Sequence, residues 1–337
     1  MRKKITAVVL LSILILFLCI GIGSVFVSPL EGLQIILNKI FSAALPDSVT
    51  PTNISIFWDI RMPRVLTAFL VGAALSVSGA IMQALLQNPL ASSYTMGVSA
   101  GASLGAAFVI ITGITGTIFG MFLLPVCGFA SGLLTVLLVL AFSLKIDKNM
   151  HNHTIILFGM VFSLFVNAIL TLVSTLNGEH MQRLVLWQLG TFSGRRWIHV
   201  LILFICLMLG TIGTILYHRE LDIMSFGQEQ AMSMGVDVGK SKIALLLLSS
   251  FLTGAAVCFS GIIGFVDLTV PHIARRIFGA KHSLVIPMSL FMGGAFMALS
   301  DMVSRTLLAP REIPVGAVTA LVGAPFFVWV YFHDRKQ

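Results

Sequence analysis

What this chain most lacks is charge. Of its 337 residues only 10% are Asp, Glu, Lys or Arg, while 57% are hydrophobic. A soluble domain carries about 25% charged residues, so this composition implies a polytopic membrane protein. Acids are scarcer than bases, 13 against 21. The resulting net charge of +8 needs no nucleic-acid partner, because cationic loops on one membrane face produce the same excess. Cysteine is rare too. Cys19, Cys127, Cys206 and Cys258 lie inside apolar runs without metal-ligand spacing, which argues against a disulfide framework or a thiolate metal site.

Catalytic and nucleotide-binding patterns are also missing. Gly239-Lys-Ser241 looks like the end of a phosphate loop, but only three residues separate it from Gly235 where four are required, and no strand precedes it. His151, His153 and His180 fall on opposite membrane faces, and no Ser-His-Asp or paired-carboxylate arrangement can be assigned. The expectation is therefore no enzyme activity and no cofactor or metal bound by this chain. Asp267, Asp301 and Glu312 are the few ionisable groups near span interiors or ends, all beside short or Pro-containing connections toward the outside. Asp301 and Arg305, four apart, suit a structural ion pair on one helix face. An ion-coupled carrier places carboxylates or histidines at mid-membrane, and little such machinery is visible.

What is present is a series of apolar runs. They cover residues 5–27, 65–86, 94–112, 117–144, 154–176, 198–217, 242–263, 283–300 and 314–332. Each is near the ~20 residues that cross ~30 Å of hydrocarbon. The first follows a basic start and is too long for a signal-peptide core, so it reads as a retained span. A tenth, short span at 268–278 brings both termini to the cytoplasm. It leaves 13 of the 21 basic residues inside and 8 outside, the sign that the positive-inside rule requires. The outward group includes Arg305 and Arg311 as well as Arg61, Arg64, Arg195 and Arg196, and these last four need another reason to be there.

Small residues predict close helix contacts. Gly97, Gly101 and Gly105 form overlapping GxxxG steps, Gly128 and Gly132 another, and Gly72, Ser76, Gly79 and Gln83 share a face. In the fifth span Ser163, Asn167, Thr171 and Ser174 recur at helical spacing. Such a stripe either bonds neighbouring helices or lines a wet cavity. The longest cytoplasmic interruption, Leu221–Lys242, reads as two short helical pieces punctuated by Gly227, Gly235 and Gly239. A structured loop of this kind suits a membrane bundle pushed by a soluble partner.

Several stretches together carry a family likeness. They are Arg61-Met-Pro-Arg64, Gly72-Ala-Ala-Leu-Ser76, Gly79-Ala-Ile-Met-Gln83, Asn88-Pro-Leu-Ala91, Met96-Gly-Val-Ser-Ala-Gly101, Leu186-Trp-Gln-Leu-Gly190, Gly261-Ile-Ile-Gly-Phe265, Pro271-His272 with Arg275, Glu312-Ile-Pro-Val-Gly316 and Gly323-Ala-Pro325. The chain resembles, over essentially its whole length, the permease subunits of ABC importers for iron–siderophore, haem and vitamin B12. Two positions depart from the pattern: Ser93 stands where the family often has Pro, and Asp267 where it usually has Gly.

The resemblance implies an all-α single permease domain over 1–337 with about ten transmembrane helices, in the cytoplasmic membrane of a bacterium. It implies as partners a second permease, two cytoplasmic ATPase subunits that use the ATP, an external substrate-binding protein and membrane lipid. It gives Gly227, Glu229, Ala231 and Gly235 a part in ATPase coupling, and Arg61, Arg64 and Arg305 or Arg311 a part in docking glutamates of the binding protein. Asn88, Leu90, Asn152 and His153 match a cytoplasmic gate, and Ser163, Asn167 and Thr171 a helix lining the pathway. Iron(III)–siderophore is the expected cargo by frequency among such relatives, with haem or cobalamin as alternatives. An ion-coupled secondary transporter without an ATPase is the competing class.

Overall fold

The computed structural model describes residues 1–23, 27–46, 49–114 and 120–334, and contains helices and no strand among them. In chain order the helices are α1 (Arg2–Gly21), α2 (Pro29–Phe41), α3 (Pro51–Ser55), α4 (Met62–Leu85), α5 (Val98–Thr112), α6 (Gly120–Ile146), α7 (Asn152–Leu176) and α8 (Met181–Gln188). After these come α9 (Trp197–Leu216), α10 (His218–Met224), α11 (Gln228–Ser233), α12 (Val238–Ser260), α13 (Val266–Phe278), α14 (His282–Thr306) and α15 (Val315–Asp334). Each of the nine long apolar runs and the short tenth contains a helix among the described residues. Among the described residues seven helices are long and apolar enough to cross a membrane, and α5 and Val315–Val328 are shorter apolar helices. Residues 24–26 of the first expected span, 117–119 of the fourth, and the basic pair Arg335 and Lys336 lie outside the described residues.

The loops gather at two ends, as an alternating topology requires. At the end assigned to the cytoplasm, the Gln87 amide donates to Met224 O (2.9 Å), the His282 N–H to Asp222 (2.8 Å) and Lys242 Nζ to Met150 O (2.6 Å). At the other end the Trp197 indole donates to Trp58 O (3.1 Å), and the two indoles stack 4.9 Å apart. There α2 is fixed by a capping box of Ser28 and Glu31 with Pro29 in its first turn, and it presents an apolar face to α1 and Phe57.

α4 is the centre of the bundle, buried along nearly all its length against α9, α12, α13 and α14. Lipid tails are as apolar as leucine, so helices associate here through close packing and polar contacts rather than hydrophobic drive. The Gly72, Ser76, Gly79 face allows that approach. A Cβ at Gly72 would collide with the Gly293 carbonyl, and one at Gly79 with the Asp267 carbonyl. The Gly101–Gly105 steps do the same for α5 against Ser131 and Cys127 of α6, whereas Gly128 is looser, since a Cβ there would sit 3.6 Å from Ala102 O.

The tenth span is not a full crossing. At about 1.5 Å per residue, thirteen residues make ~20 Å, short of the bilayer core. α13 starts inside the bundle, with Asp267 opposite Gly79, so Asp267 lies deeper than the external connection expected for it. Residues 261–265 complete the path as irregular backbone, which membranes tolerate only where protein covers it. Tyr94 donates to Ile263 O (2.9 Å), and the Ile262 N–H donates to Gln188 O (3.3 Å). Beside them the backbone of Thr191 bonds Ser260 O (2.9 Å) and that of Val315 bonds Gly190 O (3.2 Å).

Gly79→Val should destabilise the bundle by about 1–3 kcal/mol or more, because the obstructing atom is backbone that no rotamer change can clear. Gly128→Ala, where a Cβ meets atoms at ordinary contact distance, should cost little. Melting of the detergent-solubilised protein distinguishes the two; equal stability would place the α4–α13 contact elsewhere.

Candidate permeation and coupling site

The cytoplasmic interruption folds as expected into two short helices, α10 and α11, hinged at Gly227 (φ 120°) and closed by Gly235 (φ 86°). Leu221, Met224 and Ala231 turn inward, each at most 2% exposed. Ala231 therefore packs the loop onto the bundle and is not part of its outer surface. Three residues passed over in the sequence stand out instead: Phe226 (74% exposed), Met232 (56%) and Met234 (64%). The sequence does not single them out, since Leu221, Ile223, Met224, Val236 and Val238 are apolar in the same loop.

Beside the loop lies a cleft of ≈ 920 Å³ whose walls include Asn152 and His153 from the start of α7 and Gln228, Glu229 and Gly235. The Asn152–His153 part of the expected gate thus neighbours the coupling segment, whereas Asn88 lines a separate cleft with Gln83, His272 and Arg275. Asn88 shapes its own turn by accepting from the Leu90 N–H (2.9 Å), which leaves Leu90 half-exposed. The α6–α7 turn is built on Asp147. Its carboxylate accepts from the backbone of His151 (2.8 Å) and of Asn149 (3.0 Å) and from the Thr154 hydroxyl (3.0 Å). These bonds, the His151 N–H foremost, hold its pKa down at about 2.

The polar stripe on α7 divides. Ser163 bonds Gly159 O (2.7 Å) and Thr171 bonds Asn167 O (2.9 Å), so both hydroxyls are satisfied within their own helix. Ser163 and Ser174 lie toward the bundle, while Asn167 and Thr171 are exposed on the outside of the chain. No side-chain bond of this stripe to another helix occurs among the described residues. An exposed Asn167 amide in a span requires water or a second protein surface.

At the external end the arginines depart from expectation. Arg61 and Arg64 are 5% and 8% exposed, not free surface cations. Arg64 Nε bonds Asp301 (2.9 Å), and its two terminal nitrogens grip Glu312 at 2.6 and 3.1 Å. Arg305 completes the cluster, with Nε 3.3 Å from the other Asp301 oxygen, so the expected Asp301–Arg305 pair exists within a larger group. Arg61 donates to Gly21 O (3.0 Å) and Arg305 to Ile22 O (2.7 Å) and Cys19 O, tying down the end of α1. The reason is desolvation: a buried guanidinium must find carboxylates or carbonyls. Of the four, only Arg311 is exposed.

Both departures from the family pattern enter internal polar networks. Ser93, in the Pro position, joins Ser78, Ser249 (2.5 Å) and Thr253 in a hydroxyl cluster between α4 and α12. Asp267 accepts from the Ser92 hydroxyl. Gln83 donates to the Asp267 and Leu268 carbonyls (3.2 and 3.0 Å) and accepts from Arg275, fixing α13 to α4.

A helical bundle with Asn167 and Thr171 left outward on α7 and a hinged loop at one end suits a membrane permease. Comparison with known proteins makes this specific: the chain belongs to the FecCD transport family, whose model matches residues 10–333. It is 42% identical to the ABC transporter permease protein YvrB of Bacillus subtilis (strain 168) over 286 residues, 85% of this chain and 81% of that one. The cobalamin import permease BtuC of Halobacterium salinarum is 34% identical (89% and 79% covered), and the hemin transport permease HmuU of Yersinia pestis 32% (96% and 95%). A solved inward-facing metal-chelate type ABC transporter superposes with a TM-score of 0.85 at 29% identity, over 98% of this chain and 99% of that one. PsaBC of Streptococcus pneumoniae shares the fold (TM-score 0.56, 16% identity, 79% and 88% covered). The chain is accordingly an ABC importer permease of the metal-chelate, haem and cobalamin type and not itself an enzyme.

If Asn167 and Thr171 line water, single cysteines there should react with a membrane-impermeant thiol reagent in the assembled transporter, in a background without native cysteines. Cysteines at Phe165 and Leu172, on the opposite side of α7, should be protected by lipid. Equal protection at all four positions would assign the stripe to a dry interface.

Proposed function

We propose that this chain forms one half of the translocation pathway of an ATP-driven importer for an iron(III)–siderophore in a bacterial cytoplasmic membrane. The second half is another permease chain, two cytoplasmic ATPases supply the energy, and an external binding protein delivers the chelate. The observation that carries the reading is the α10–α11 loop, where Phe226, Met232 and Met234 stand exposed beside the cleft that contains Asn152 and His153. Exposed apolar side chains on a folded loop mark a protein-docking surface.

In this reading the ATPases grip α10–α11 around Glu229, and Gly227 and Gly235 set the angle of the grip. Asn88, Leu90, Asn152 and His153 form the cytoplasmic constriction, and Asn167 and Thr171 face the passing cargo, with Ser163 turned toward the bundle behind them. At the outer mouth Arg311 meets acidic groups of the binding protein, while Arg61, Arg64 and Arg305 keep that rim in shape through their internal bonds. An ion-coupled carrier is disfavoured, because Asp301 and Glu312 are already engaged by arginines.

The test is uptake into proteoliposomes that contain the permease with its ATPases and binding protein. ATP should drive entry of a radiolabelled iron–siderophore, and Gly235→Pro should abolish it while leaving the protein in the membrane. Proline's fixed φ near −65° cannot follow the +86° backbone, and the Gly235 N–H bond to Met232 O (3.0 Å) is lost. Uptake of cobalamin or haem alone would overturn the cargo, entry driven by an ion gradient without ATP would overturn the class, and survival of uptake in the proline variant would remove the loop from coupling.

A further inference from the structure

Of the described lysines only Lys242 is buried, at 0% exposure, one turn into α12. Removing an ammonium from water is expensive unless its donors are met, and an aliphatic residue would serve a purely structural position better. Lys242 forms no ion pair among the described residues; the acid whose charge acts on it is Asp147, on the α6–α7 turn. Its Nζ donates instead to Met150 O (2.6 Å) and to Asn152 Oδ1 (2.7 Å). The same Asn152 oxygen accepts the Gln228 side-chain amide at 2.9 Å. One carbonyl oxygen therefore joins three elements: Gln228 is the first residue of α11, Asn152 the first of α7, and Lys242 belongs to α12.

This geometry has a mechanical consequence. α12 is buried against α4, α6 and α9, whereas α7 is exposed along much of its length and α11 sits in the loop. A displacement of α11 reaches Asn152 directly through the Gln228 amide. Lys242 supplies the fixed point against which Asn152 turns and, by its charge, strengthens the bonds it makes. We propose that Lys242, Asn152 and Gln228 form the joint that passes movement of the coupling loop to the cytoplasmic end of α7, with Lys242 as the positioning residue. The proposal rests on the importer reading above and assigns a role to Lys242 and Gln228 that their positions in the sequence do not suggest.

The experiment measures cargo transported per ATP hydrolysed in the reconstituted complex, together with the melting temperature of each variant. Lys242→Met keeps the aliphatic stem and deletes the donors; Gln228→Met deletes the other arm. Each should lower the ratio about tenfold, the scale expected for losing a charge-assisted or shared hydrogen bond. Because both act on one oxygen, the double variant should fall little further. Lys242→Arg, which retains donors, should recover part of the ratio. The joint is overturned if hydrolysis and transport fall together in step with the melting temperature, or if the two losses multiply in the double variant. Should Lys242→Met fail to fold, Gln228→Met decides alone, since its side chain lies at the edge of the cleft: an unchanged ratio refutes the joint. Absence of ATP-driven uptake in the unmodified complex would overturn the importer reading and the joint with it. Normal uptake with unaltered ratios would overturn the joint alone.

Discussion

Everything in this bundle depends on how closely α4 can approach its neighbours. Inside a membrane there is no hydrophobic force to press helices together, so contact must come from matched surfaces and internal polar bonds. Gly72 against Gly293 and Gly79 against Asp267 bring backbones side by side, and the hydroxyl cluster of Ser78, Ser93, Ser249 and Thr253 joins α4 to α12. With α4, α12, α13 and α14 so joined, the chain has one half that is densely packed. α7 has the opposite character, since Leu164, Phe165 and Leu172 are all more than 60% exposed.

Charge is handled with the same economy. The external arginines do not project into water; Arg64 bridges α4 to Asp301 on α14 and to Glu312 in the connection before α15. At the cytoplasmic end the buried cation is Lys242, and its partners are neutral oxygens. The first arrangement holds two well-packed helices and a loop in register. The second links parts whose packing differs. Ion pairs between fixed elements favour rigidity, whereas a shared neutral oxygen can exchange partners without exposing a bare charge.

Much of this was legible in the residues. Apolar runs marked the spans because crossing a bilayer demands them, and the glycine steps marked the α4–α14 and α5–α6 contacts. The two helical pieces of the coupling loop followed from Gly227 and Gly235. What could not be read depends on residues far apart in the chain. Arg64 looks like a surface cation until Asp301 and Glu312, 237 and 248 positions later, are placed beside it. The family resemblance gave Ala231 a part in coupling, yet its side chain is buried in the core. Lys242 read as an ordinary basic residue at a span end. The inward start of α13 was hidden because its first turn carries Asp267, which suggested a connection nearer the surface.

The central claim is that a rigid block around α4 and α14 carries a movable α7. Pulsed EPR distances on the reconstituted importer test it most directly. One spin-label pair at Asp59 and Leu308, both exposed, reports the external ends of the α4–α14 block. A second at Asn149 and Lys281, also exposed, reports the cytoplasmic start of α7 against α14. Between the nucleotide-free and ATP-bound states the first distance should stay constant while the second shifts by several ångströms. Equal shifts in both pairs, or a shift confined to the first, would contradict the account.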